Sequence, residues 1–408
     1  MRKRVVGASG VVTFLIAVWP WAVAPAAAQQ AAGQQRPPRD AVEEAARKAS
    51  FRTEAEAAKE WEAELARKKA EAVAKVYDPS KPVLTAPPKT PWGHPDLRGY
   101  YITATYTPLQ RPRTVEKPLY TPEEAIGAFV TQADTDAKAD PAVIHYDWKE
   151  FGMEAWQSPV RPNMRTGLVV DPATGTLPPL TPEGQKRRAD AQALARTRDH
   201  QTGVQIFGNL YTRCILGLGA IPLIRGGNPG STEATSAGVS TEIQIFQTPD
   251  HVAIVHQSNS DVRIIPLNGR PHLPQTVRQW NGDSRGRWQG NTLIVETTNF
   301  NDYAPSTNFQ GSTDALQIVE RFSVLDANTL RYEYTVTDPK TWTRPWSVEA
   351  PLPRIDPPLY EFACHEQNYG LINLVMGAQI RATDGVLDPR DPRAAGQTGA
   401  AAGGGGRE

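Results

Sequence analysis

The sequence predicts a mainly β protein: an antiparallel meander that closes as a lipocalin-like barrel, with a β-sandwich as the alternative. Three observations carry this. From Glu242 to Gly370 apolar and polar residues alternate with a period of two, the repeat of a half-buried strand. Short turn sequences such as Asp326-Ala327-Asn328 and Trp288-Gln289-Gly290-Asn291 separate the alternating runs. No helix-length interval falls between those runs, so seven or eight strands must join as neighbours. A meander of that size closes or doubles over to remove its edges. The 40-residue repeat of a propeller is not seen.

Taken in order, the chain opens with the pattern of an export signal at residues 1–28. Arg2, Lys3 and Arg4 precede an apolar run from Val11 to Ala24, and Ala26-Ala27-Ala28 offers small residues for cleavage before Gln29. Pro20 and Pro25 interrupt the run, which argues against a retained anchor of about 20 unbroken apolar residues. No later run is apolar enough to span a bilayer, so a periplasmic or secreted location is expected. Cleavage removes three basic residues and leaves 41 basic against 44 acidic, a net −3. That balance excludes an electrostatic partner for nucleic acid.

Residues 29–91 read as a helical extension and a Pro-rich linker. Asp40 to Tyr77 is rich in Ala, Glu, Lys and Arg, with Glu64–Lys68 and Glu71–Lys75 at i,i+4 and no Pro or Gly. Its apolar members, chiefly Phe51, Trp61, Leu65 and Val76, are too sparse for a coiled-coil seam. The folded β-barrel core domain then runs over 92–388, opening at Trp92 with a strand at Tyr100–Tyr106. Two helix starts are inserted in it. Thr121-Pro122-Glu123-Glu124 and Thr181-Pro182-Glu183-Gly184 each place Thr as N-cap, Pro at N1 and acid at the positive end of the helix dipole. The 36 prolines, nearly twice the usual share of about 5%, fit long loops over a β core. Leu330, Tyr332, Tyr334 and Val336 share one strand face, and Tyr360, Phe362 and Cys364 are expected to share another. Residues 389–408, ending AAAGGGGRE, read as a disordered tail. Cys214 and Cys364 are the two cysteines, and in an oxidising compartment such a pair forms a disulfide.

The strings PDLRGYY, PPLTPEGQKR, RCILG, RIIPLNGRPHLPQTVRQWNGDSRGRWQGNTLIVETTNF, TVTDPKTWTRPW and YEFACHEQNYGL resemble a family of exported bacterial proteins of unassigned function. The resemblance covers roughly Trp92 to Ala378. It implies relatives with a signal peptide and this core, and supplies no catalytic residue. Relatives often carry His before the Asp-x-Arg-Ile-Ile tract, where this chain has Ser260.

Chemistry concentrates in two places. One is Cys364-His365-Glu366 with Gln367, Asn368 and Tyr369, where a His beside a carboxylate suits general acid–base work near neutral pH. The other is the connection from Arg270 to Arg285, rich in Arg, His, Asp and Trp and suited to a carboxylate, aromatic or sugar-like ligand. The leading expectation is an enzyme of lyase, isomerase or hydrolase type acting on a small hydrophobic or aromatic compound in a barrel pocket. His365 is its acid/base, Glu366 or Asp283 the orienter, and Arg285 or Arg263 the anion stabiliser. His272, Trp280, Tyr303 and Tyr369 complete the substrate wall. The alternatives are a carrier of a small hydrophobic ligand and a structural envelope protein docking a partner through residues 40–77. No cofactor is expected: GxSxG, phosphate-loop and dinucleotide fingerprints are absent, and Gly217-Leu218-Gly219 lacks a third glycine. No metal motif is present, since His251 and His256 fall on opposite strand faces and only a dispersed set of His256, His272 and His365 remains.

Overall fold

The computed structural model describes residues 75–137, 160–197, 213–215, 221–224, 241–301, 311–356 and, in part, 359–376. The export signal, residues 40–74 of the Ala/Glu tract, Tyr303 and the tail lie outside the described residues.

Among the described residues ten strands form two antiparallel sheets. The first is β1 (Gly99–Ile102), β3 (Glu242–Gln247), β4 (His251–His256) and β5 (Val262–Pro266), hydrogen-bonded in the order β1-β3-β4-β5. The second holds β2 (Val169–Asp171), β6 (Asp283–Gln289), β7 (Thr292–Thr298), β8 (Gln317–Asp326), β9 (Thr329–Thr337) and β10 (Trp346–Pro353), in the order β2-β10-β9-β8-β7-β6. The expected meander is therefore present, but its ladders do not join into a closed barrel; two sheets over one core match the sandwich alternative. No ladder connects β5 to β6. That seam is filled by side chains: Arg263 reaches across it to Ser284, and Gly286 lies beneath Ile265 and Leu267. A Cβ at Gly286 would come within 2.8 Å of Ile265, so the approach requires glycine. On the other side, a single antiparallel bridge, Tyr101↔Arg354, links β1 to the residue after β10.

The core follows from the two-residue period. Leu330, Tyr332, Tyr334 and Val336 of β9 are all buried and meet Ile318 and Phe322 of β8, and Trp346, Val348 and Leu352 of β10. Ile243, Ile245, Val252, Ile254 and Ile265 of the first sheet join the same cluster. Ring contacts run from Phe322 to Tyr332 (5.0 Å), Tyr334 (5.7 Å), Trp346 (6.1 Å) and Trp342 (5.5 Å). Each such buried side chain stabilises the fold by about 1.5–3 kcal/mol from area alone.

The helices start where the capping signals place them. In α1 (Pro122–Ala137) the Glu124 backbone N–H donates to Thr121 Oγ1 (3.3 Å) while the Thr121 N–H donates to Glu124 Oε2 (2.7 Å), a reciprocal capping box. In α2 (Pro182–Thr197) the Gly184 N–H donates to Thr181 Oγ1 at 3.0 Å. A Cβ on Gly184 would lie 2.7 Å from the Thr341 carbonyl, so α2 can dock on the turn after β9 only with glycine there. Among the described residues no helix is long and apolar enough to cross a membrane.

Two segments depart from expectation. Residues 78–91, expected as a linker, are held on the second sheet. The Leu84 N–H donates to the Val324 carbonyl (2.9 Å), Asn291 Nδ2 to that of Thr85 (2.7 Å), and buried Tyr77 donates its hydroxyl to Glu349 (2.6 Å). The expected strand at Tyr360–Cys364 is not formed. Its Cys364 N–H turns back to the Phe362 carbonyl at 3.0 Å instead of joining a ladder, and β10 is the last strand among the described residues.

Tyr101 makes a pH-dependent contribution. Its ring is fully buried, its hydroxyl donates to the Leu97 carbonyl (3.0 Å) and accepts from Arg354 Nη2 (2.8 Å). Burial pushes the phenol up to about 12 from 10.0, against the opposing pull of the Arg354 guanidinium. Folding therefore favours the neutral phenol. The resulting stability is complete below pH 10 and is lost as pH rises through about 12. Urea midpoints should fall across that window, and should fall less in Tyr101→Phe; equal slopes in both proteins would refute the assignment.

Candidate active site

The 270–285 connection builds one wall of a cleft at the ends of β6, β7, β8 and β9. Gly282 takes φ +65°, and a Cβ there would lie 2.5 Å from the Thr298 carbonyl, so glycine lets the chain turn tightly into β6. The first residue of β6, Asp283, is buried at 5% exposure. Its Oδ2 accepts from His272 Nδ1 (2.9 Å) and from the Leu273 N–H (2.9 Å), and its Oδ1 from Arg285 Nη1 (2.6 Å). Arg285 Nε also donates to the Pro271 carbonyl at 3.1 Å. One carboxylate thus staples the 271–273 segment to β6 and orients an imidazole. With Asp283 ionised it can only accept, so His272 carries its proton on Nδ1 and leaves Nε2 for chemistry. Nε2 has no hydrogen-bond partner among the described residues, and the ring is one quarter exposed on the cleft wall.

Asn299, just past β7, holds the rest of that wall. It adopts φ +59°, a left-handed conformation that Asn tolerates better than most residues. Its Nδ2 donates to the carbonyls of Leu273 (2.9 Å), Pro274 (3.1 Å) and Val277 (3.2 Å), which fixes the 273–277 segment.

The opposite wall is organised by buried Asp338 after β9. It accepts from the Thr313 N–H (2.6 Å), the Lys340 N–H (3.0 Å) and Thr341 Oγ1 (2.9 Å), joining the 311–316 loop to the 338–341 turn. On that frame Asp314 bridges two cations. Lys340 Nζ donates to Oδ1 (2.9 Å), Arg278 Nη2 approaches Oδ2 (3.4 Å) and Arg278 Nη1 donates to the Asp314 carbonyl (2.8 Å). The Lys340 ammonium holds the Asp314 carboxyl below the usual carboxylate range and is itself held up by it. Between the walls is a cleft of about 540 Å³, lined also by Leu273, Leu316, Gln317, Thr298, Thr337 and Pro339. That volume lies within the range of small-molecule sites.

Asp283, Arg285 and His272, picked out from the sequence, are thus brought together. Trp280 lies on the same connection, about one third exposed. Arg263 is elsewhere: it is buried between the sheets, donating Nε to Ser284 Oγ (3.0 Å), Nη1 to Glu320 Oε1 (3.0 Å) and Nη2 to Thr297 Oγ1 (2.8 Å) and Glu320 Oε2. Tyr332, itself part of the aromatic core, also donates to Glu320 (2.8 Å).

The pairing of His365 with Asp283 is not formed; that carboxylate accepts from His272, Leu273 and Arg285 instead. His365, Glu366 and Tyr369 are exposed on the segment tied down by the Cys214–Cys364 disulfide. Among the described residues no hydrogen bond or ion pair joins them to Asp283 or Arg285. His256 is buried, and the described residues hold no group of three or more His, Cys, Asp or Glu placed to bind a metal. Sequence reasoning missed Asn299, Asp314, Asp338 and Lys340. For the Asn and Asp among them the local signal is Asx-turn chemistry, which does not reveal a long-range partner, and Lys340 reads as an ordinary surface lysine. Comparison of the chain with protein-family models, curated proteins and solved structures finds no match, so its function has to be read from this geometry.

Proposed function

We propose that the protein is a periplasmic or secreted enzyme of lyase, isomerase or hydrolase type that works on a small molecule in this cleft. His272 is its general acid/base and Asp283 the orienter; Arg285 neutralises Asp283. The observation that carries the reading is the 2.9 Å contact between His272 Nδ1 and a buried carboxylate, with the ring on a cleft wall. An oriented imidazole whose second nitrogen faces substrate is the arrangement that proton transfer at neutral pH requires. Among the described residues His365 makes no such carboxylate contact, which favours His272. The export signal and the disulfide support an oxidising compartment.

The test is a turnover screen of small acids, esters and amides on the purified chain, followed by single variants. His272→Gln should lower kcat by about 10²–10⁴-fold with an unchanged thermal midpoint. Full turnover in His272→Gln combined with loss in His365→Ala would move the chemistry to the disulfide segment and end this assignment.

A further inference from the structure

We propose that the cleft binds a small carboxylic acid as its monoanion, gripped between Arg278 and Lys340, with its apolar body on Leu273, Leu316 and Pro339. The presentation of that ligand to His272 rests on the function proposed above; the binding itself does not.

Three features lead to this class. First, the cleft already holds a carboxylate in the required place. Asp314 lies between the two cations, at 2.9 Å from Lys340 and 3.4 Å from Arg278. Second, the grip is incomplete. Arg278 directs only two of its N–H groups at Asp314, and Lys340 only one, so donors remain for a second anion. The Lys340 side chain is 47% exposed and those of Arg278 and Asp314 30%. An ion pair so hydrated contributes little, and a ligand displaces or shares it at small cost. Third, the formal charges around the cleft already balance: Arg278, Lys340 and Arg285 stand against Asp314, Asp283 and the buried Asp338, which accepts from the Lys340 N–H. A singly charged acid therefore adds less uncompensated charge than a dianion would inside a partly enclosed space. The planar guanidinium fork suits a carboxylate, the Thr337 hydroxyl on the lining is a further donor for its oxygens, and the apolar lining suits an acid with a hydrocarbon body.

The experiment is calorimetric titration of the full chain at low ionic strength with sodium benzoate, sodium acetate and inorganic phosphate. Benzoate should bind tighter than either other anion. Arg278→Gln and Lys340→Gln should each weaken it about tenfold, and Asp314→Asn should tighten it severalfold, by removing the resident competitor. Lys186→Gln, on the exposed face of α2 and outside the cleft lining, should leave benzoate affinity within about twofold. Thermal midpoints check that each variant folds, and Asp314→Asn keeps the proposal testable by a gain even if a cation variant unfolds. Absent benzoate binding, tighter binding of phosphate, or benzoate affinity indifferent to Arg278, Lys340 and Asp314 would overturn it. The two proposals fail separately. Benzoate binding with turnover indifferent to His272 removes the acid/base role alone; turnover dependent on His272 without carboxylate binding removes the ligand class alone.

Discussion

Glu320→Ala should destabilise the protein by about 3–5 kcal/mol, a large part of the stability of a typical domain. Glu320 has no exposure to solvent, and its carboxylate takes both terminal nitrogens of Arg263 and the Tyr332 hydroxyl. Truncation leaves a guanidinium between the sheets with only the Ser284 and Thr297 hydroxyls as partners. It also leaves the Tyr332 hydroxyl proton without its acceptor, although the oxygen still accepts from the Leu223 N–H (3.0 Å); that phenol is held well above its ordinary range by burial and by this carboxylate. A charge buried without its counter-ion costs far more than the pair contributes when intact. For the same reason Arg263→Met combined with Glu320→Leu should recover most of the loss, because both charges leave together. Urea unfolding of the two single variants and the double variant measures this. A loss below about 1 kcal/mol for Glu320→Ala would mean that water reaches the pair, and the sheets would not be locked by it.

Removal of the Cys214–Cys364 disulfide should also cost several kcal/mol. The bond closes a separation of 150 residues, for which the chain-entropy limit is about 5 kcal/mol. Cys364→Ser should lower the thermal midpoint accordingly, to the same value as reduction of the native protein. The effect on the cleft should be small. Its walls are held by Asp283, Asn299 and Asp338, none of which bonds to the 360–366 segment. Benzoate titration of Cys364→Ser below its melting range checks this. Lost affinity in a folded variant would show that the disulfide segment and the cleft act as one site.

Much of the local structure was legible from short-range rules. The β9 alternation, the Thr121 and Thr181 caps and the turns at 288–291 and 326–328 depend on a few neighbouring residues. β10 was not legible. Its residues from Val348 to Pro353 are all buried, so no alternation marks them, and Pro351 and Pro353 argue against a strand. The prolines are accommodated because β2 pairs only at Ser347 and Val348, leaving the Pro-bearing half with β9 alone. The Tyr360–Cys364 alternation pointed the other way, to a strand with no ladder to join. Half of the candidate site was legible in the same sense: Asp283, Arg285 and His272 lie within fourteen residues of each other. Asp314 and Lys340 come from separate connections, and only the β7-β8-β9 register brings them to Arg278.

By itself the sequence determined a mainly β chain, the starts of two helices, most of the strands and, having only two cysteines, the one pair that could cross-link. These follow from backbone periodicity, capping and covalent chemistry, all of which act within a few residues. Tertiary structure alone decided how the sheets meet and which way ambiguous strands face. In β5 it turned Val262 and Ile264 outward and Arg263 inward, against simple hydrophobic patterning. The reason is that Glu320, 57 residues away, supplies the counter-charge that makes a buried arginine stable. It also gave the Asp283 carboxylate to His272, Leu273 and Arg285 from the same connection, and left His365 exposed on a separate segment.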